Sequence, residues 1–291
     1  MKKWSMWIAV IAIALSISPG LAFADGKFSL RLQGGWTYLS AGDINSGTQA
    51  WFDWRKDHWD ASNFGYKPIH NGFEIGGEIV FELTPRLGIG IGGGYLKISR
   101  VSSSYLYDPE VIGLFETLGV EPTLSTVPIQ AGVLLTVPLN AKFDFHADIG
   151  ASYYFKARYS DEWWSIIWMI DVATAYVHIT TSAEKKNTPI GFQGGVGLEY
   201  ELQHNFFLYL DARGRYARFR GWKGTSVLES NDVTPSSEQG ILYYESVPML
   251  PDAPRLIMVQ NDPPDGPDGE SRQAVVDFSG VSLQVGIRIR I

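Results

Sequence analysis

From residue 142 to residue 159, KFDFHADIGASYYFKARY, apolar and polar positions alternate almost without interruption. Phe143, Phe145, Ala147, Ile149, Ala151, Tyr153, Phe155, Ala157 and Tyr159 form one set. Lys142, Asp144, His146, Asp148, Gly150, Ser152, Lys156 and Arg158 form the other, with Tyr154 the exception. A period of two puts the sets on opposite faces of an extended strand. The run is much longer than the roughly 5–6 residues of an ordinary strand. Its apolar face has aromatics near both ends and small aliphatics between. That is the order expected of a strand crossing a lipid bilayer, which takes about 9–11 residues.

The same alternation recurs over residues 28–38, 72–83, 87–99, 126–137, 189–202, 206–219 and 275–291. Thr84-Pro85-Arg86, residues 138–141 and Gln203-His204-Asn205 read as tight turns. Long loops occupy about 39–70, 101–124, 160–187 and 220–272. Short turns alternating with long loops predict an all-β fold, an eight-stranded antiparallel transmembrane up-and-down β-barrel. Outward aromatics then form two girdles. Phe28, Phe81, Phe143, Tyr200 and Phe206 lie near the turns, and Trp36, Tyr38, Phe73, Tyr95, Phe155 and Tyr216 near the loops. A ten-stranded barrel would need the third or fourth loop to supply another spanning hairpin. Within the loops, Asp108-Pro109 ahead of Val111, Ile112, Leu114, Phe115 and Leu118 predicts a short capped helix ending at Gly119. Residues 163–179, WWSIIWMIDVATAYVHI, fit either an interfacial helix or an extended hairpin. The acidic run DPPDGPDGE at 262–270 reads as mobile.

Composition alone points elsewhere: mean hydropathy of −0.04 suits a soluble protein. Barrels give the same average because inward polar residues dilute the outward apolar ones. A net charge of −7 argues against nucleic acid as a partner. With no cysteine, disulfides and thiolate metal sites are excluded. Lys2 and Lys3, an apolar stretch over 7–17 and Ala22-Phe23-Ala24 predict a signal peptide over 1–24. Cleavage before Asp25 leaves 25–291 as the barrel domain, with its ends in the periplasm and its long loops outside. Gly88, Gly90 and Gly93 match G-x-G-x-x-G, but phosphate binding needs a helix opening at those glycines. Here they lie inside a strand, where glycines make room for side chains or let the sheet bend.

The strand plan, GFQGGVGLEYEL at 191–202 and FFLYLDARGRY at 206–216, and the final strand carry a family resemblance. The chain resembles the small outer-membrane β-barrel family, which includes OmpW and the membrane domain of OmpA. Gln284, Gly286, Ile289 and Ile291 match the spacing of that family's terminal assembly signal, with Ile291 where an aromatic is usual. The resemblance implies insertion by the barrel-assembly machinery and contact with outer-membrane lipid and lipopolysaccharide.

The inward positions carry the candidate chemistry. Arg31, Lys142, Lys156, Arg158, Arg213, Arg215, Arg288 and Arg290 face Glu74, Glu78, Glu82, Asp144, Asp148, Glu199, Glu201 and Asp211. An eight-stranded bore is just wide enough for side chains to fill. An isolated charge inside it costs several kcal/mol, so these groups are expected to pair into a salt-bridged plug. A narrow conducting porin is the alternative. Asp144, His146 and Asp148 share a face, but their spacing of about 6.6 Å is wide for one ion. Neither a metal nor another cofactor is expected. In the outer loops or at their bases Trp51, Trp54, Trp59, Trp163, Trp164, Trp168 and Trp222 suit interface anchoring, or a site for a small hydrophobic ligand or a glycan at the barrel mouth. His58, His70 and His178 lie in or near those loops without a motif tying them to a serine. The expectation is a non-enzymatic protein, with a barrel lipid hydrolase or protease as the remaining alternative.

Overall fold

The computed structural model describes residues 27–58, 60–62, 65–107, 113–169, 172–187, 189–231, 233–246, 254–262 and 271–291. The signal segment at 1–24 and Trp59 lie outside these described residues. Eight strands build the wall: β1 (Lys27–Leu39), β2 (Asn71–Glu82), β3 (Leu87–Ser99), β4 (Thr123–Pro138), β5 (Phe143–Met169), β6 (Ile190–Gln203), β7 (Phe206–Tyr216) and β8 (Gly280–Arg290). Neighbours in sequence pair antiparallel, and β8 returns to pair with β1 from Ser29↔Arg290 to Leu39↔Gly280. The ring is closed at eight strands. Closure removes every open edge within the lipid-facing band, where an unpaired backbone group would have no water to bond.

The outer face is apolar. Ile149 is 71 % exposed and Phe192 63 %, exposures that suit lipid. Phe28 packs on Phe81 at 5.1 Å and Phe143 on Tyr200 at 4.8 Å at the turn end. Phe73 and Tyr95, 6.0 Å apart, sit at the loop end.

One irregularity in β5 reorganises what lies beyond it. Lys156 has φ +50°, and the pairing with β4 slips there: Val127 faces Phe155, but Ser125 faces Arg158. Lys156 and Ala157 together oppose Thr126, which makes a β-bulge and reverses the facing of every later residue. Ala157 and Tyr159, expected toward lipid, are buried inside. Lys156 and Arg158, expected in the lumen, are exposed on the outer surface, where Arg158 Nε donates to Glu184 Oε1 at 2.6 Å.

Beyond the bulge β5 continues upward and seeds a second layer. Residues 163–169 pair with Leu114–Val120, and 157–169 with Val172–Lys185. Ser102–Tyr107 adds to the first side, and Asp60–Ser62 adds to it in turn. Lys223–Ser230, Ser236–Ser246 and Arg255–Gln260 extend the second side. The helix expected to end at Gly119 is therefore strand over 114–120, while 108–112 lie outside the described residues. Of the two readings of the third loop, the extended hairpin is the one observed. The fourth loop includes the strands Lys223–Ser230, Ser236–Ser246 and Arg255–Gln260, and 263–270 of its acidic run lie outside the described residues.

The first loop holds a helix, α1 (Asp43–His58), which the alternation did not predict. Gly42, at φ +63°, turns the chain into it. Asp43 favours the positive helix end and accepts from Val275 N at 2.7 Å. Its carboxylate also takes both ends of the Arg272 guanidinium, at 2.5 and 2.7 Å. The buried face includes Ile44, Asn45, Thr48 and Phe52. Asn45 Oδ1 accepts from Tyr66 OH at 2.7 Å and Ile69 N at 2.9 Å, tying the returning chain to the helix. Leu39, Ile44, Leu96, Ile98, Tyr154 and Tyr159 join Trp222, Leu242 and Phe278 in an apolar core across the loop end of the barrel. Trp222 stacks on Phe278 at 6.2 Å.

Candidate functional site: the barrel interior and the aromatic loop cluster

Below that apolar core the interior is ionic. Strand alternation aims the odd-numbered residues of β7 inward, burying Asp211, Arg213 and Arg215. Glycines on facing strands leave room for them. A Cβ at Gly197 would come within 2.5 Å of Asp211 Oδ1 and 2.6 Å of His146 Cε1, and one at Gly90 would strike the Glu78 carboxylate. In the glycine stripe, Gly88 and Gly90 make room for the Val80 and Glu78 side chains, while Gly92 and Gly94 let the neighbouring backbone come close.

The charges form three tiers, and Glu199 joins the two nearest the turns. Nearest the turns, Arg288 donates to Glu199 Oε2 at 2.9 Å, Glu82 Oε1 at 2.7 Å and Ser29 Oγ at 2.9 Å. Arg290 Nε donates to the same Glu82 oxygen at 3.2 Å, with its Nη2 3.8 Å from Asp144. In the middle, Arg31 lies 3.5 Å from Glu78, 3.8 Å from Glu199 and 3.8 Å from Asp211, with its guanidinium 4.3 Å over the Tyr209 ring. Arg213 sits 3.6 Å from Asp148 and 3.5 Å from Asp211. Nearest the loops, Arg215 bonds Glu74 and Ser282. These are the expected lumen residues, apart from Lys156 and Arg158, which lie outside, Lys142, which is exposed at the turn with Nζ 6.0 Å from the Tyr200 ring, and Glu201, which lines the turn-end cavity.

His146 sits at the centre of the middle tier, fully buried. Its Nε2 donates to Asp211 Oδ1 at 2.7 Å, and Nδ1 lies 3.6 Å from Glu199 Oε1. Nε2 cannot also accept from Arg31 Nη2, 3.2 Å away, so that contact is charge packing rather than a hydrogen bond. Gln130 and Gln193 bridge Arg213 to Ser152. The alternation places both at inward positions, and as neutral side chains they carry no charge signal. Among the described residues no cluster of His, Asp and Glu has metal-holding geometry. A cavity of about 510 Å³ opens at the turn end, with Glu82, Glu201, His204, Phe207 and Arg290 in its wall.

The loop tryptophans divide. Trp51 stacks on Trp54 at 5.1 Å and meets Trp163 edge-on at 6.4 Å, beside Phe52 and Tyr66. Trp164 lies over Gly119 and Trp168 stacks on Phe115 at 6.2 Å, on the opposite face of the sheet. Under the first group lies Asp161, in the loop layer beyond the bulge. Its Oδ2 accepts from Tyr159 OH at 2.8 Å and Trp163 Nε1 at 2.5 Å. Burial pushes this carboxyl up to about 6, against the lowering effect of those two hydrogen bonds. Its Oδ1 is buried with no hydrogen-bond partner, as is Trp51 Nε1.

A closed antiparallel ring with an apolar outer face and a charged bore defines a transmembrane β-barrel of the outer-membrane type. The chain matches the family described as outer membrane protein beta-barrel domain over residues 8–235, and it belongs to that family. Its location is the outer membrane. It is similar to a major outer membrane protein from Thermus thermophilus, at 17% identity, covering 92% of this chain and 100% of that one, TM-score 0.40. It is also similar to OprG from Pseudomonas aeruginosa, at 9% identity, covering 91% and 96%, TM-score 0.34. A third similar structure is the outer membrane protease OmpT from Escherichia coli, at 10% identity, covering 94% and 99%, TM-score 0.32. Similarity this low carries no argument about activity. No curated protein matches the chain.

Proposed function

We propose that the protein is a plugged, non-enzymatic outer-membrane barrel, with periplasmic termini and an ordered extracellular layer that serves a structural or binding role. The carrying observation is that two different seals lie in series along the bore. Arg31, Arg288, His146, Glu199 and Asp211 are each at most 1 % exposed in the ionic part, and Leu39, Trp222, Leu242 and Phe278 are fully buried in the apolar part. Hydrated ions would have to break both. The test is planar-bilayer recording of the wild type and of Arg213→Ala in the same salt. Neither is expected to conduct steadily, because the apolar core remains in the variant. A large, stable wild-type conductance would establish the porin alternative.

The unpartnered Trp51 Nε1 and Asp161 Oδ1 favour a second reading, in which the aromatic cluster holds a small hydrophobic ligand with a hydrogen-bonding end. Titrating indole fluorescence with a medium-chain alcohol, in wild type and Trp51→Phe, tests it. An unchanged response in the variant would rule out Trp51 as a contact.

A further inference from the structure

We propose that one side of the loop-end rim binds a phosphorylated glycolipid of the outer leaflet, the lipid A portion of lipopolysaccharide. The proposal rests on the loops-outside orientation above. Its basis is the bulge at Lys156, which turns two cations out of the lumen and into register with others. Cross-strand partners run in one row: Lys97↔Ser125, Ser125↔Arg158, Arg158↔Glu184 and Glu184↔Lys223. Every member faces outward, because the flanking Leu96, Ile98, Leu124, Ala157, Tyr159, Ala183 and Trp222 are buried inside. Strands lie about 4.8 Å apart, so Lys97, Arg158 and Lys223 recur roughly every 10 Å along the rim. Exposed Lys156 sits just beneath, giving four cations against the single carboxylate of Glu184.

The rows above and below complete the match. On the membrane side the outward residues are Tyr95, Val127 and Phe155, which suit acyl chains. On the far side the next row is Ser99↔Thr123, Thr123↔Ser160, Ser160↔Ser182 and Ser182↔Thr225, five hydroxyl side chains in succession. Thr123 Oγ1 already donates to Ser99 Oγ at 2.8 Å, holding both on the outer face. Carboxylates resume next to the hydroxyls, at Glu121, whose Oε1 accepts from Ser99 Oγ at 3.4 Å, and at Glu162, whose backbone O accepts from Glu121 N. Apolar, cationic and hydroxyl rows in that order match the acyl chains, phosphates and sugar of one molecule. Elsewhere on the rim β1, β2 and β8 present Trp36, Tyr38, Phe73 and Val281 instead, which anchor at the interface without attracting phosphate.

The test is titration of the refolded barrel in detergent with bis-phosphorylated lipid A, with the same lipid after phosphatase treatment, and with phosphatidylglycerol. The partner variant is Lys97→Gln/Arg158→Gln/Lys223→Gln, its fold checked by heat-modifiable gel mobility. Each interfacial Lys or Arg contributes about a factor of five, so wild type should bind the phosphorylated form on the order of a hundredfold more tightly than the variant does. Removing the phosphates should weaken wild type to the same level. The proposal is overturned by a folded variant that binds like wild type, by indifference to the phosphates, or by equal binding of phosphatidylglycerol. Orientation is tested apart from this, by labelling Val233→Cys on intact cells with an impermeant maleimide. Failure there would refute the loops-outside reading and leave the detergent result standing.

Discussion

At the turn end the bore holds Arg288 between Glu82 and Glu199; at the loop end the same bore holds Trp222 against Phe278. The ionic part is built wholly by strands of the wall, whose inner faces alternate with a lipid-facing set. The apolar part is built largely by returning loops, with α1, Trp222 and Phe278 folded into the mouth. Directional charge pairs tolerate little truncation, because a lost partner leaves a buried charge behind. Apolar packing is less directional, and truncation there leaves a cavity whose cost depends on local collapse.

The sharpest way to break this comparison is to truncate one anchor in each part. Arg288→Met leaves Glu199 with only Arg31 and His146, each more than 3.5 Å away, and should cost about 3–5 kcal/mol in urea unfolding from lipid vesicles. Trp222→Ala should cost about 3–5 kcal/mol by cavity formation, but confined to the loop layer. Hydrogen exchange should accelerate around 218–222 and 274–278 while the barrel's gel mobility stays native. Global unfolding by Trp222→Ala would show that the two parts are one cooperative unit.

Next in size is the contrast across the wall itself. Ile149, outward near mid-strand, should lose about 2–4 kcal/mol as Ile149→Arg at the bilayer midplane. Its inward neighbour Asp148, 3.6 Å from Arg213, should cost less as Asp148→Asn. Equal tolerance at both sites would put the Ile149 face in water.

Within the loop layer, burial raises both the Asp161 and the Glu245 carboxyls, and fully buried Asp161 is the one raised to about 6. Folding favours its acid form, so the layer gains stability as pH falls from above 6 toward the ordinary carboxylate range, and the cost of the charge is fully present above pH 6. Two pH units correspond to roughly 3 kcal/mol. Asp161→Asn keeps an acceptor for Tyr159 and Trp163 and removes the charge. It should raise protection of 157–163 at pH 7 by up to that amount and flatten its dependence between pH 4 and 6. A variant with the wild-type pH profile would assign the dependence to another group.

The smallest effect of a substitution concerns the bulge. A left-handed lysine costs about 1 kcal/mol relative to glycine, so Lys156→Gly should stabilise by that much, while deleting Lys156 should abolish the loop-layer pairing. A deletion that kept native exchange protection over 157–169 would show that the bulge does not set the register.

Much of this molecule is local in origin. The period-two pattern placed all eight wall strands and the inward-facing Arg31, Asp211, Arg213 and Arg288, because which side of a strand a residue takes depends only on counting from its neighbours. Turn positions followed for the same reason. The helix over 43–58 was not legible, because two of its deeply buried positions, Asn45 and Thr48, are polar. Thr48 bonds back to Ile44 O within the helix, but Asn45 is satisfied by Ile69 and Tyr66, which arrive from elsewhere. The strand over 114–120 resembles a capped helix until its partner at 163–169 is present. Lys156 looks like any other alternating residue. Only pairing with β4 shows that it takes an extra place in the strand, sending Arg158 outward and Tyr159 inward. The lipid-facing wall is legible along the chain because alternation is short-range. The tertiary structure alone decided what fills the mouth and which cations reach the rim, because those depend on pairings between residues far apart in the chain.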